Sequence, residues 1–403
     1  MRILILTQWF QPEPHFKGLE FANALRDLGH EVEVLTGFPN YPGGTVYPGY
    51  RIRLVQHETM NGISVTRGYL FPSHDQSALR RIANYVSFAA STTLLALTRR
   101  KPDVVYVYTP PMTAALAAVV LRLFRRVPFV CDIQDLWPDT LAATGMVNNR
   151  RILAAVGWWT TFALRRAARI VVLSNGFKRR LLERDISTPV RVVPNWAPHE
   201  IVAGARHVAA RLIPEDGVFT ILFAGNMGRA QALDTVIEAA RILRDRAVPI
   251  RFVMVGGGVE VERLKERAGD LPPDRMVFHP ARHPSQMSDL FAAADALLVH
   301  LRDDPLFDIT IPSKTQAYMA IGRPILLGVR GDAAAMVEEA GAGLIFPPQD
   351  ASALADVAQR LAAMPAAERA AMGVAGRRFY DERLAFSIGV VAIAEELAAA
   401  AGQ

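Results

Sequence analysis

Short runs of Val, Ile and Leu, bounded by polar residues, Gly or Pro, alternate along the whole chain with stretches whose apolar residues recur at helical spacing. In the first half the runs are RILILT, HEVEVLTG, DVVYVYT, PFVCDIQD, RIVVLSN and RVVPN; in the second they are FTILFAGN, IRFVMVGGG, RMVFHPA, ALLVHL, RPILLG and AGLIF. Continuous apolar runs predict strands covered on both faces, and their alternation with helices predicts parallel α/β sheets. After the first strand, Leu19, Ala22, Leu25 and Leu28 form a helical stripe that Gly29 closes. In the second half, helices are expected to start near Gln231, Glu260, Pro284, Pro312, Ala333 and Ala351. The pattern restarts after Pro194-Asn195-Trp196-Ala197-Pro198. The chain therefore reads as two doubly wound α/β domains, residues 1–195 and 196–375, with an Ala-rich helix at 376–403 packing back on the first. Sheets of this kind bind ligands at the carboxyl ends of their strands.

A length of 403 residues suits two domains of roughly 200 each. The single cysteine, Cys131, excludes an internal disulfide and a cysteine-rich metal site, and it points to a reducing compartment. The opening MRILILTQWF has a short apolar run and no small-residue cleavage site, so it reads as a strand rather than a signal peptide. The longest apolar stretch, Ile82 to Leu97, falls short of the ~20 residues a membrane span needs and carries Asn84, Ser87, Ser91, Thr92 and Thr93. The expected location is the cytoplasm.

Charge changes the picture because it is unevenly spread. Residues 1–200 hold 24 Lys and Arg against 14 Asp and Glu, whereas 201–403 hold 21 against 25. Within residues 76–184 the ratio is 17 to 5. Arg80, Arg81, Arg99, Arg100 and Lys101 bracket the Ile82–Leu97 run; Arg122, Arg125 and Arg126 follow AALAAVVL; Arg150, Arg151, Arg165, Arg166 and Arg169 flank Trp158 and Trp159. Helices of this composition suit an anionic membrane surface, with apolar side chains among acyl chains and arginines on headgroups. Nucleic acid is not the expected partner, because the basic clusters interleave with Leu, Val and Trp rather than with stacking aromatics on a sheet face.

Four loops at expected strand ends of the second domain carry the chemistry of a phosphate site. The first is Gly225-Asn226-Met227-Gly228-Arg229-Ala230-Gln231, where glycines let the backbone approach a ligand and an arginine can fork onto phosphate oxygens. The second holds Gly256, Gly257 and Gly258, and the third His279-Pro280-Ala281-Arg282. The fourth is IPSK, where Pro312 suits a first helical turn but Lys314 stands at the positive end of the helix dipole. A bound anion would turn that misplaced cation into an asset. No G-x-G-x-x-G follows the first strand of either half, and no P-loop motif is present, which argues against dinucleotide dehydrogenases and P-loop kinases. No Asp-x-Asp triplet occurs, so no metal is expected at the nucleotide.

GHEVEVLTGFPNYPGG, DIQDLWPD, RIVVLSNG, VVPNW, FAGNMGRAQALDTVIEAA and IPSKTQAYMAIGRPIL occur in an order that resembles family 4 retaining glycosyltransferases with the GT-B fold, in the bacterial surface-polysaccharide (O-antigen and capsule, amino-sugar transferring) branch. The resemblance covers nearly the whole chain and implies two Rossmann-like domains facing across a cleft. It implies transfer of a sugar, expected to be an N-acetylated amino sugar, from a UDP-sugar to a polyprenyl-diphosphate-linked or other membrane-associated acceptor. The enzyme would work peripherally on the inner face of the cytoplasmic membrane, with no cofactor or metal. Carried over residue by residue, it places the donor diphosphate against Gly18, Arg229, Ser313 and Lys314.

The chain also departs from the family pattern. The paired glutamates that hold the ribose elsewhere are Ile309 and Ala317 here, which leaves Gln316 or Asp308 for that role. The usual Arg and Lys after the first donor-domain strand are Asn226 and Gln231, and the frequent catalytic histidine is Tyr108. Candidates for catalysis are then Asp135 or Asp139, which could equally be helix caps, and His15 beside Gly18. If the leaving phosphate takes the acceptor proton, electrostatic stabilisation by Lys314 and Arg229 contributes more to catalysis than any protein base. A UDP-sugar 2-epimerase of the same fold and an inactive nucleotide-sugar-binding assembly protein are the alternatives.

Overall fold

The computed structural model describes residues 1–73, 78–202, 213–214, 216–283 and 286–402. It divides into two compact units, one formed by Met1–Pro194 with Gly389–Gln403 and the other by Asn195–Ile388. The break falls at the proline-rich segment, one residue before the expected position. Residues 376–388, assigned by sequence to the terminal helix, stay with the second unit.

The strands are β1 (Arg2–Leu6), β2 (Glu31–Gly37), β3 (Val55–Met60), β4 (Ile63–Gly68), β5 (Val104–Thr109), β6 (Phe129–Ile133), β7 (Arg169–Val172), β8 (Val190–Val192), β9 (Phe219–Ala224), β10 (Ile250–Val255), β11 (Met276–His279), β12 (Ala296–His300), β13 (Ile325–Gly328) and β14 (Gly343–Ile345). The first unit has one sheet in the order β3-β4-β2-β1-β5-β6-β7-β8, and the second one in the order β11-β10-β9-β12-β13-β14. All pairings are parallel except β3 with β4 at the edge of the first sheet. This is an α/β GT-B architecture of two Rossmann-like units. Along β9, Phe219, Ile221 and Phe223 enter one core cluster while Leu222 and Ala224 enter another, so helices cover both sheet faces.

The β3–β4 hairpin is the one pair of strands that the apolar pattern does not predict. Its turn is Asn61-Gly62, both at positive φ (48° and 82°), a combination that is itself a hairpin signal. β3 carries no apolar run because every one of its residues is exposed or half-buried. The helix Leu19–Asp27 buries Phe21, Ala22 and Leu25, whereas Leu28 is exposed and lies just past its end. The expected helix start near Pro284 lies outside the described residues; the helix there runs Met287–Ala293. The C-terminal helix Phe386–Ala401 is tied to the first unit through its second half, where Arg169 pairs with Glu396, and Arg191 with Glu395 at 2.7 Å and Glu396 at 3.3 Å.

At the centre of the first unit, Lys17 and Asp132 form an ion pair with neither side chain exposed to water. Asp132 also accepts from the Tyr106 hydroxyl and from Gln134 Nε2 (2.6 Å), and its carbonyl accepts from Thr109 Oγ1 (2.9 Å). The residue before Gly18 is thereby pinned to the end of β6. Removing one partner of such a pair strands a charge in the interior, at a cost of about 3–5 kcal/mol. Lys17→Met and Asp132→Leu are each expected to destabilise the first unit by that order in urea titration, and the double variant by clearly less than their sum. Fully additive losses would mean the two groups do not act as a pair.

Candidate functional site

The four loops singled out in the second unit meet at the carboxyl ends of its strands. Gly225 N donates to Val255 O (2.8 Å), Met227 N to Gly257 O (2.7 Å) and Gly256 N to His279 O (3.0 Å), which laces the loops after β9, β10 and β11 together by backbone alone. At Gly256 (φ 157°) a Cβ would sit 1.9 Å from Gly225 O, so only glycine permits that crossing. A Cβ on Gly225 would in turn sit 2.8 Å from Lys314 Cε, so the fourth loop closes on the first.

Lys314 lies in the first turn of the helix Ser313–Ile321, whose N-cap is Pro312. It is half-buried, with Nζ 3.7 Å above the centre of the Phe223 ring, and it makes no ion pair among the described residues. Burial lowers its pKa to about 7. Next to it the hydroxyl of Thr315, fully buried, has no partner among the described residues. The arrangement is therefore not a surface lysine snorkelling into water. A cation is held at the positive end of a helix without a counter-charge, beside exposed Ser313.

The remaining predicted residues of this unit divide into those presented to solvent and those used within the fold. Arg229 is 86% exposed, and among the described residues its one ion pair is with Glu260, at 3.6 Å. Arg282, Asn226 and Gly257 are exposed, and Gly228 is half-buried at the head of the Arg229–Gln231 turn. Gln231, at the expected donor position, is a brace: its Oε1 accepts from Gly228 N at 3.0 Å and from Asn226 Nδ2 at 3.5 Å. Gln316 is corrected outright. It is buried, and in the orientation that satisfies its amide it donates to Pro312 O at 2.8 Å, so it does not face a ribose. Ala317 is in the core. Asp308, the other ribose candidate, is half-buried, and burial followed by the Asp303 charge raises its pKa.

In the first unit, Gly18, His15, Tyr108 and Asp135 all lie at the carboxyl ends of neighbouring strands β1, β5 and β6. Asp135 is half-buried, its carboxylate makes no hydrogen bond or ion pair among the described residues, and burial raises its pKa. Tyr41, Tyr85 and Tyr108 surround it closely enough that its charge adds to burial in raising their hydroxyl pKa values. Asp139 differs: it is held by Arg184 at 2.6 Å and Arg180 at 3.2 Å and serves the fold.

His15 is corrected as a base. Thr7 Oγ1 donates to Trp9 O (3.0 Å), so it must accept from His15 Nε2 (3.2 Å), which leaves Nδ1 buried and bare. Burial, then the Lys17 charge, lowers its pKa to about 3, far below what general-base catalysis at neutral pH uses. A neutral His15, its ring tilted 49° against Tyr108 with centroids 4.3 Å apart, can accept a hydrogen bond but is a poor base. Gly18 is the N-cap of its helix, and Gln11 Oε1 already accepts from Leu19 N at 2.7 Å. The Lys17–Asp132 pair is not apparent in the sequence, although Asp132 opens the DIQDLWPD motif. Among the described residues no group of three or more His, Cys, Asp or Glu is placed to hold a metal.

The chain matches the Glycosyl transferase 4-like domain over residues 19–196 and the Glycosyl transferases group 1 family over 218–364. It is 28% identical over 339 residues to the protein named "Putative colanic acid biosynthesis glycosyl transferase WcaI" of Escherichia coli K12, covering 80% of this chain and 82% of that one. It is 26% identical over 297 residues to the "Probable glycosyltransferase WbjE" of Pseudomonas aeruginosa, covering 71% and 73%. In fold it is similar to HepE of Anabaena in complex with UDP (TM-score 0.70, 16% identity, 99% and 100% covered). It is also similar to the sucrose-phosphate synthase of Thermosynechococcus elongatus (TM-score 0.72, 16% identity, 98% and 97% covered).

Burial of Lys314 without a counter-charge bears on the stability of the free protein. With the folded pKa near 7 and the unfolded one at the ordinary 10.5, the unfolded chain binds more protons between those values. The destabilising effect of Lys314 is thus full below about pH 7 and fades as pH rises toward 10.5. Lys314→Met should raise the unfolding free energy by about 1–3 kcal/mol at pH ~6, with the gain shrinking by pH ~10. Equal stability of the two proteins in mildly acid solution would contradict an uncompensated cation.

Proposed function

The chain belongs to the family 4 retaining glycosyltransferases of the GT-B fold, and we propose that it moves a sugar, an N-acetylated amino sugar, from a UDP-linked donor onto a polyprenyl-diphosphate-linked acceptor in surface-polysaccharide synthesis. The observation that carries the donor half is the desolvated, uncompensated Lys314 ammonium at a helix N-terminus among glycine loops. A diphosphate supplies the missing counter-charge, accepts the helix amides and draws in Arg229, whose guanidinium gives up only a 3.6 Å contact. In the transition state the leaving diphosphate gains charge, so these contacts strengthen as the glycosidic bond breaks.

Asp135 has the properties wanted on the acceptor side, being a carboxylate without a partner whose pKa burial moves toward neutrality. It orients the acceptor hydroxyl and takes its proton, alone or with the leaving phosphate. Two residues on, Trp137 lines an apolar groove of about 420 Å³ with Ile152, Val156 and Trp159, and Arg151 stands at its side. An apolar chain bearing an anionic head suits that lining.

The membrane half of the reading rests on the same unit. The helices Ala78–Thr98, Ala115–Arg125 and Arg150–Leu164 expose Leu94, Phe124 (77%) and Trp158 (67%). Not every arginine of the basic stretch is available to lipid. Arg99 is bonded to Thr66, Arg125 donates to Arg99 O (2.8 Å), and Arg169 is ion-paired. Gln76, at its start, lies outside the described residues. Arg100, Lys101, Arg150 and Arg151 make no ion pair among the described residues and remain for headgroups. The site of action is the inner face of the cytoplasmic membrane.

Wild-type protein should show thermal stabilisation by UDP and UDP-sugars. Lys314→Ala should lose it, whereas Asp135→Asn should keep it and lose transfer by about 10²–10⁴-fold. UDP release that ignores the acceptor would favour the epimerase alternative. No stabilisation by any UDP compound would overturn the donor assignment. Separately, sedimentation with anionic but not neutral liposomes is expected. Changing Arg100, Lys101, Arg150 and Arg151 to Glu should remove it, and equal binding to both liposome types would dismiss the membrane role.

A further inference from the structure

One buried imidazole sits behind the donor-side loops without facing a ligand. His300, the last residue of β12, is 1% exposed. Its Nδ1 is 2.7 Å from Gln231 O, and its Nε2 accepts from Gln349 N at 3.0 Å. A carbonyl oxygen can only accept, so Nδ1 carries the proton, and Nε2, facing an N–H, is bare. Both ring nitrogens are satisfied in one neutral tautomer, and the ring stacks on Phe346 (centroids 5.8 Å, planes 12° apart).

Each of those two bonds reaches a loop of the site. Gln231 closes the turn that displays Arg229, and the same turn is held a second time by Arg302 N donating to Ala230 O (2.8 Å). Gln349, at φ 60°, uses its side-chain Oε1 to accept from Asp303 N (2.8 Å). That fixes the start of the segment leading through Pro305–Asp308 to Ser313 and Lys314. The imidazole therefore joins the Arg229 turn to the backbone that runs into IPSK, through opposite ring nitrogens.

We propose that His300 is the positioning residue of the donor site, its Nδ1–H holding the Arg229 turn and its Nε2 holding the Gln349 loop. The assignment of the ligand as a UDP-sugar rests on the function proposed above; the clamp itself rests on the two bonds. An asparagine at this position can reproduce the Nδ1–H donor but not the Nε2 acceptor, and a glutamine the reverse. Phenylalanine keeps the stack on Phe346 and reproduces neither. The three variants separate the two bonds from simple packing.

Two measurements on the full-length chain test this: amide hydrogen exchange of residues 225–233, 302, 303 and 349, and UDP affinity by calorimetry. His300→Asn should leave exchange at Gln231 and Arg302 within about threefold of wild type but raise it about tenfold at Gln349 and weaken UDP, because the bond to the Gln349 loop is lost. His300→Gln and His300→Phe should raise exchange at Gln231 and Arg302 about tenfold or more and weaken UDP by a similar factor. Exchange unchanged in His300→Phe, or raised equally in all three variants in proportion to their loss of global stability, would overturn the clamp. If the turn loosens as expected while the wild type takes up no UDP, the clamp stands and the UDP reading falls.

Discussion

The second unit holds at Lys314 a cation that makes no ion pair among the described residues. Lys314 loses hydration by burial, stands at the positive end of a helix worth about 0.3–1 kcal/mol of repulsion, and among the described residues has the face of Phe223 in return. A cation–π contact supplies about 0.5–2 kcal/mol, against an effective desolvation cost of several kcal/mol for a buried ion. The balance is unfavourable until an anion arrives. The lacing of backbone around Gly225 and Gly256 keeps the ammonium there, because the closest approaches are backbone to backbone and to the Lys314 stem. Electrostatic deficit and steric confinement thus act on the same ammonium.

The first unit treats a buried lysine in the opposite way. Lys17 has Asp132 as its partner, and Asp132 in turn satisfies Tyr106 and Gln134. That network ties the residue before Gly18 to the end of β6. Asp135, three residues further on, is the counterpart: a carboxylate without a hydrogen bond or ion pair among the described residues, beside one that has several. Within each unit the paired charge serves the fold, and the function proposed above draws on the other one. The same distinction separates Asp135 from Asp139 with its two arginines.

Much of this was legible in the sequence because it depended on local pattern. Twelve of the strands announce themselves as short apolar runs, and Lys314 stands out because its charge contradicts its place in a helix. The hairpin β3–β4 was not read because its edge strand buries little, so apolar alternation is weak, although Asn61-Gly62 marks the turn. The Lys17–Asp132 and His300–Gln349 partners are 115 and 49 residues apart, and no periodicity pairs residues at such distances. Gln316 and Leu28 depart from the sequence expectation for a simpler reason: near helix ends a shift of one residue decides whether a side chain points inward or out.

Arg229 and the loop that carries it divide the work of binding between rigidity and reach. The backbone of the turn is set before any ligand binds, by Gln231 Oε1 on Gly228 N, by Arg302 N on Ala230 O and by His300 on Gln231 O. Ordering it is therefore part of folding and takes nothing from binding free energy. The guanidinium is the reverse case, since it projects into water and its 3.6 Å contact with Glu260 is replaceable, Glu260 keeping Arg263 at 2.7 Å. Such an exposed pair contributes about 0–1 kcal/mol, less than a charge-assisted bond to phosphate returns. A stiff backbone aimed at one place, carrying one long cation free to turn, suits a ligand whose charge moves as a bond breaks.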